Sequence, residues 1–416
     1  MKSVAVTGLG CVSDFAWSTR EFVDNIQKKR VVDFTPVFSD KALQGFFGFS
    51  FDPDYAPLTD AQMTFSKDYK KRGVTDPRIA VMANVTEQCL EDAGVNTSIL
   101  ADENCRVFWG APGNQPDLKH FFAHLHESEK LDVLLKPKIK ALQARNFRNG
   151  SLTKQFENAF ALKYPVNTIF SACSSSLSAM MAAKAMLQQG KIERALVLSW
   201  QEVSTFDILF MSGINILAKQ NFLPFCQESD GIKPSFGISA VLLESVESVN
   251  NRDANPHFLL GEMQAARAFS GSQNSPSMSV PFRAIVKNIN ALLEKSERLA
   301  EEIDLIYPHG NGLKASDQAE AMAMEKIFSQ SNPYVANYTG QTGYLLASSG
   351  AFDFIMASDA FNQDRVLPFY SSKKLEFSDR INFVTDEMIR AKPNMILKNS
   401  IGIDGSIVSC LLERVA

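Results

Sequence analysis

The stretch NTIFSACSSSLSAMMAAKAMLQQGKIERALVLSW, residues 167–200, restricts the fold more than any other. The apolar segment after Pro165 has strand character, the Ala/Met-rich run over 174–189 reads as a helix, and 195–200 is again a strand. Such alternation signals an α/β architecture, and it recurs along the chain. Residues 3–7 alternate and are β-branched until Gly8 and Gly10 break the pattern, as at the end of a buried strand entering a tight turn. Asp76-Pro77 opens a helix over 77–92 that stops before Gly94, and a strand follows over 105–110. The polar, basic stretch 118–162 is expected to hold helices, and 241–244 is a further strand.

The turn-rich SVNNRDANPH, 248–257, places a boundary near 250 and predicts two halves, 1–250 and 251–416. The second half carries the strand FLLGEMQAAR, helices over 281–302, 317–329 and 344–361, the strand IDLIYP, and the closing strands MILKNS and SIVSCLLERV. Both halves end in strands, which suggests two similar α/β units without a letter-by-letter repeat.

Composition narrows the function. The 416 residues are 45% hydrophobic, enough to bury one large core or two moderate ones, which excludes a disordered chain. Lys plus Arg is 42 against 46 for Asp plus Glu, so there is no global field to hold a polyanion, and nucleic acid is not expected as a partner. The cysteines (Cys11, Cys89, Cys105, Cys173, Cys226, Cys410) are scattered without a CxxC pair, which reads as reduced thiols rather than disulfides or a zinc site. His120, His124 and His126 have no accompanying carboxylate or cysteine set, so they read as a polar helix face and no metal is expected. The opening apolar stretch is too short and glycine-rich for a signal peptide, and no run approaches about 18 apolar residues. A soluble cytoplasmic protein without a membrane partner is expected.

Cys173 is the leading candidate for chemistry. It sits between a strand and a helix whose first turn is all serine, which would put its sulfur near free backbone N–H groups at the positive helix end. Those conditions favour a thiolate. A buried, inert cysteine before a capped helix would share the same local pattern.

The segment SACSSSLSAMMAAKA resembles the TACSSSL nucleophile segment of β-ketoacyl synthases, and further landmarks follow in that family's order. PFCQESDG (224–231) resembles PFDxxxDG, HGNGLKASDQAEA resembles HGTGTxxGDxxEA, GYLLASSG resembles GHxxxAAG, and NSIGIDGS (399–406) resembles NSFGFGGT. The resemblance spans almost the whole chain. It implies the thiolase fold, a duplicated αβαβα five-layered sandwich, in a homodimer or a pair with an unlike ketosynthase-like subunit. It also implies an acyltransferase of fatty-acid or polyketide biosynthesis that needs no cofactor and takes its acyl group from an acyl carrier protein.

Residue by residue, the resemblance implies Cys173 as the acyl-accepting nucleophile and His309 as a catalytic histidine on an exposed strand-end loop. The backbone N–H groups of Cys173 and Ile403 would form the oxyanion hole. Tyr344 stands where the family has its second histidine, and Thr339 where it has a lysine, while the acidic pair Asp317 and Glu320 is kept. A phenol is a neutral donor near pH 7 and a poor proton acceptor. The malonyl-decarboxylating half-reaction is therefore expected to be altered. Phe236, in place of the acid of the family's GEGA, and Ile403, in place of the gating phenylalanine, are expected to line and gate the acyl pocket. Lys67, Lys70, Lys71 and Arg72 form a basic cluster expected to dock the carrier protein, and Lys136, Lys138, Lys140, Arg145 and Arg148 form a second basic stretch. The alternative is a catalytically silent partner that shapes an acyl tunnel, although such subunits usually lose the cysteine. Thiolases need a second cysteine in a glycine-rich late motif, which Cys410 lacks, and Asn311 follows His309 too closely to be the separate asparagine of the third kind of synthase.

Overall fold

The computed structural model describes residues 3–37, 51, 53–56, 76–113, 149–268 and 280–415. Among these, eleven strands form one mixed sheet in two matching sets. In the first set Val4–Ser13 lies antiparallel to Gly237–Ser245, which lies antiparallel to Arg194–Gln201; Cys105–Gly110 and Asn167–Ile169 follow in parallel. The second set repeats the order and the directions. Phe258–Arg267 lies antiparallel to Ser406–Glu413, which lies antiparallel to Met395–Ile401, and Leu305–Tyr307 and Tyr334–Val335 follow in parallel, with Asn382–Phe383 added at the edge. The sets join where Ala5 and Val6 pair with Leu259 and Phe258.

Helices fill the layers between and around the strands. Pro77–Asp92 and Asn149–Ala159 stack outside the first set, Phe282–Ser296 and Lys314–Phe328 outside the second, and Ser175–Gln188 packs on Ser349–Gln363 in the middle. Small side chains make the middle layer possible. Ser175, Ser176, Ala179 and Ala183 are buried on one central helix, and Gly350 and Ala351 on the other. A Cβ on Gly110 would lie 2.7 Å from the Ser175 carbonyl oxygen, so the strand must be bare where the helix meets it.

Several boundaries differ from the sequence reading, each for a packing reason. Gly8 and Gly10 do not end the first strand but lie inside it, because a Cβ there would run into the Cys89 and Val85 carbonyls of the helix crossing above. The helix expected over 281–302 ends at Ser296, where Glu297 takes a left-handed conformation (φ 56°). That expected over 344–361 starts only at Ser349, because residues 344–348 form a tight turn with Leu346 at φ 48°. Short helices at Thr19–Gln27 and Thr205–Gly213 were not read from the sequence. No helix among the described residues is long and apolar enough to cross a membrane.

Candidate active site

Cys173 lies in the short 3₁₀ turn Ala172–Ser174, directly ahead of the first central helix. Ala172 holds φ 42°, a left-handed conformation that turns the chain sharply between strand and helix. Serines hold this turn in place. The Ser175 hydroxyl donates to the Ala172 carbonyl (2.7 Å) and accepts from the Ser171 N–H (2.9 Å). Ser174 Oγ meets Ser406 Oγ at 2.7 Å, and the Ser400 hydroxyl donates to the Cys173 carbonyl at 3.2 Å. The serine run therefore ties the cysteine turn to the closing 399–406 loop of the other half.

Around the sulfur the donors converge. The Tyr344 phenol and the backbone N–H groups of Ile403 and of Cys173 itself are the groups beside the sulfur that favour its anion. Cys173 belongs to an apolar cluster that includes Ile208, Met211, Ile216, Phe222 and Leu346, with Phe34, Tyr55 and Ile403 packed against that shell. Cys173 is 8% exposed. Burial outweighs the three donors and pushes the thiol above its ordinary range, with Asp404 adding to the rise. This corrects the thiolate expectation: the helix end is present, but low-dielectric surroundings keep the resting group a thiol.

His309 is also placed differently from the expected exposed loop. It is 3% exposed, because two carboxylates on the following helix fold its loop inward. Glu320 accepts the N–H groups of His309 (2.8 Å) and Gly310 (2.9 Å) and a bond from the Asn399 amide (2.6 Å). Asp317 accepts those of Asn311 (2.9 Å), Gly312 (3.1 Å) and Phe225 (2.9 Å). Burial raises both carboxyls, Asp317 to about 7. Gly310 sits at φ 40°, and a Cβ there would strike the Phe225 ring and the Asn337 amide. Burial, then the Lys398 ammonium, pushes the His309 imidazole down to about 3, so it is neutral.

Tyr344 joins the two. Its Oη lies 3.0 Å from His309 Nε2, with the rings edge to face, and the phenol and the Cys173 thiol influence each other's charge. The structure thus brings together Cys173, His309, Tyr344 and the Ile403 N–H. It also shows side chains the sequence reading missed. Lys398, 2% exposed, bonds the Pro308 carbonyl at 3.1 Å and pairs with Asp353 at 2.5 Å beside His309. A lysine directly after the apolar run MIL in a predicted strand was the available signal.

Phe236 is not brought to the site. Along its strand Phe236 shares parity with Ile238, Ala240 and Leu242, and all four pack with Ile79, Val85 and Trp109 in the outer layer. It therefore does not gate the Cys173 pocket. Ile403 does pack against the Cys173 shell. Lys67, Lys70, Lys71 and Arg72, the second basic stretch over 136–148, and His120, His124 and His126 lie outside the described residues.

Comparison with known proteins decides the family. The family models for the β-ketoacyl synthase N-terminal and C-terminal domains match residues 1–248 and 260–372. The chain belongs to the β-ketoacyl synthase family. A 3-oxoacyl-[acyl-carrier-protein] synthase homolog of Saccharomyces cerevisiae is 22% identical over 456 residues, covering 99% of both chains. The PKS-NRPS hybrid synthetase acdB of Aspergillus candidus is 24% identical over 302 residues, 70% of this chain but only 12% of that protein's length. A crystal structure of a β-ketoacyl synthase from Burkholderia phymatum matches over 100% of both chains with a TM-score of 0.84 at 18% identity. That likeness establishes the thiolase fold in this β-ketoacyl synthase relative.

Proposed function

We propose that this chain is an acyltransferase that accepts an acyl group from an acyl-carrier-protein thioester onto Cys173, within fatty-acid or polyketide assembly. What supports it is that the Tyr344 phenol, 3.0 Å from His309 Nε2, and the Cys173 and Ile403 N–H groups all favour negative charge on one sulfur. The same two backbone donors would suit the oxygen of a thioester attacked there, a role worth about 2.7–4 kcal/mol per donor in other enzymes. In the transfer, Cys173 Sγ bonds the thioester carbon and the bond to the carrier sulfur breaks. The thiol proton passes to the Tyr344 oxygen while the phenol's own proton goes to the departing sulfur, and His309 supports the phenol. Tyr344 stays neutral throughout, as its buried phenol requires, being held well above the ordinary phenol range.

The family's two-imidazole arrangement is reduced to one imidazole and a phenol, so loading of Cys173 is expected to outrun malonyl decarboxylation. The halves 1–250 and 251–416 would each supply part of the site, and the chain would work paired with itself or with an unlike subunit. Charge reversal of Lys70 and Lys71 to Glu should slow carrier-dependent loading.

Incubation with an acyl-carrier thioester, followed by intact mass, tests the reading. An acyl adduct that is absent from Cys173→Ala is the expected result. The buried resting thiol is the observation that favours a silent, tunnel-shaping subunit, and no adduct with any donor would establish that role instead.

A further inference from the structure

Phe222 faces two ways. It belongs to the apolar cluster that holds Cys173 and Tyr344, and it also lines a cavity of about 310 Å³ that neither of those residues lines. Such a volume suits a small organic group. Phe34 shares both surroundings, and the two rings meet edge to face with centres 6.1 Å apart. Each ring lies against a bare point of a loop that carries a reacting group. A Cβ on Gly312, in the His309 loop, would be 2.9 Å from the Phe222 ring, and one on Gly343, next to Tyr344, would be 3.3 Å from the Phe34 ring. The rings therefore stand between the cavity and the site. They are held differently. Lys233 Nζ sits 5.1 Å from the centre of the Phe34 ring and is itself fixed by Asp54 at 2.9 Å. At Phe222 it is the backbone that is pinned: Asp230 accepts the N–H groups of Lys219, Gln220 and Asn221 (3.2, 3.0 and 3.1 Å), and the Ser229 hydroxyl accepts that of Leu223 (3.2 Å). The Phe222 ring can change rotamer while its loop stays still.

The cavity is not a hydrocarbon slot. Phe369 and Tyr370 line it together with Gln220, Asn221, Ser371 and Lys373. Asn337, 4% exposed, is a further lining residue. Its amide nitrogen bonds the His309 and Gly310 carbonyls at 3.4 and 3.2 Å, and only an NH2 can face two carbonyls, so the side-chain oxygen is left on the other side. That oxygen is buried and without a partner, and it asks for an O–H or N–H donor. We propose that Phe222 is the door of an acyl site: when its ring rotates, the acyl group carried on Cys173 enters this cavity, which takes hydroxylated chains in preference to plain alkyl chains. The inference rests on the acyltransferase reading and deepens it by naming the substrate class. An alkyl chain would displace water from the amides, hydroxyls and ammonium of the wall and return no hydrogen bond, whereas a chain hydroxyl donates to Asn337 Oδ1 while the rings cover the carbons. Phe222, and not Phe236, then gates the Cys173 pocket.

Two measurements on the full chain test this. The first needs no acyl donor: Cys173 is alkylated with iodoacetamide or with the bulkier N-phenylmaleimide and followed by intact mass, with Cys173→Ala as the blank. Phe222→Ala should speed the maleimide about tenfold relative to iodoacetamide, and Phe222→Trp should slow it. An unchanged ratio in both folded variants would overturn the door. The second compares loading of Cys173 from carrier thioesters of acetate, octanoate and a dihydroxyoctanoate. The hydroxylated chain should load about fivefold faster than octanoate, the effect of one neutral hydrogen bond. Phe222→Trp should slow both eight-carbon chains about tenfold more than it slows acetate. Asn337→Leu removes the acceptor and should erase the hydroxyl preference; where that variant does not fold, the wild-type preference and the Phe222→Trp profile decide. Octanoate loading as fast as the hydroxylated chain, or Phe222→Trp slowing all three donors equally, would overturn the inference. Failure of the acyltransferase reading looks different: no adduct forms even from acetate, which removes the substrate class as well, while the maleimide ratio still follows residue 222.

Discussion

Replacing Tyr344 by Phe removes one oxygen and little else. That oxygen lies 3.0 Å from His309 Nε2 and does most among the neighbouring groups to favour the Cys173 anion. The ring keeps its buried place in the apolar shell, and His309 Nε2 retains the Asn311 amide at 3.4 Å. Alkylation proceeds through the thiolate, so the variant loses a hydrogen bond to a charged atom, worth about 1.5–3 kcal/mol. At about 1.4 kcal/mol per factor of ten, Cys173 should react with iodoacetamide roughly 10- to 150-fold more slowly at fixed pH. Intact mass over time measures this, with Cys173→Ala as the blank for the remaining cysteines, all of them buried. The fold should lose about 1–3 kcal/mol, visible as a lower melting temperature, because the partners of the lost hydroxyl are buried. A reaction rate within a factor of two of wild type in a folded Tyr344→Phe protein would refute the donor role and, with it, the account of how this thiol is activated.

Three other outcomes follow from the same geometry. Tyr344→His restores a second imidazole and should raise carbon dioxide release from malonyl-carrier protein; unchanged release would show that position 344 is not limiting. Between an ordinary value near 6.5 and about 3, unfolded chains protonate His309 and the native protein does not, so this residue costs stability as pH falls through that window. The slope reaches about 1.4 kcal/mol per pH unit. Asp317, raised to about 7, has the opposite sign over part of the same range, since the native state holds its proton more tightly. The measurement is therefore the difference between wild type and His309→Gln in denaturant midpoints from pH 7 to 4, and an unchanged difference would contradict the burial argument. Gly310→Ala should destabilise by about 1–3 kcal/mol or more, since φ 40° and the neighbouring Phe225 and Asn337 both oppose a side chain; an unaltered melting temperature would count against it.

The strand and helix pattern and the motif order were open to reading because they are local. Cys173, His309 and Tyr344 could be singled out from short segments, and the structure brings them together. What escaped was set by contacts between distant segments. Burial of His309 depends on Asp317 and Glu320 turning inward from the next helix, and no spacing rule says which way a carboxylate faces. The thiolate expectation considered the helix end alone, whereas Phe222, Met211 and Leu346 arrive from elsewhere and remove the solvent that an anion needs. Phe236 was placed by motif when strand parity decides its face: two residues apart along a strand means the same side, and Ile238 and Ala240 belong to the outer layer. Gly8 and Gly10 looked like a strand end because their second role, making room for a crossing helix, involves residues some eighty positions away.

The duplication explains why the nucleophile and the phenol meet at all. In each half a tight turn with a left-handed residue follows the third strand of the parallel edge, Ala172 directly in one and Leu346 after the short helix Thr339–Thr342 in the other. A 3₁₀ step and then a central helix follow in both, Ala172–Ser174 before Ser175–Gln188 and Leu346–Ser348 before Ser349–Gln363. The two turns touch, because the central helices pack against each other in the middle layer. A residue at the first turn of one half is thereby presented to residues just ahead of the turn in the other. Cys173 and Tyr344 occupy those related places, with Tyr344 two residues before Leu346 and Cys173 one after Ala172. The backbone that delivers position 344 to the sulfur is therefore independent of which side chain stands there. Substitution at 344 should change the chemistry while leaving the fold in place, which is what makes the phenol-for-imidazole comparison a test of function rather than of folding.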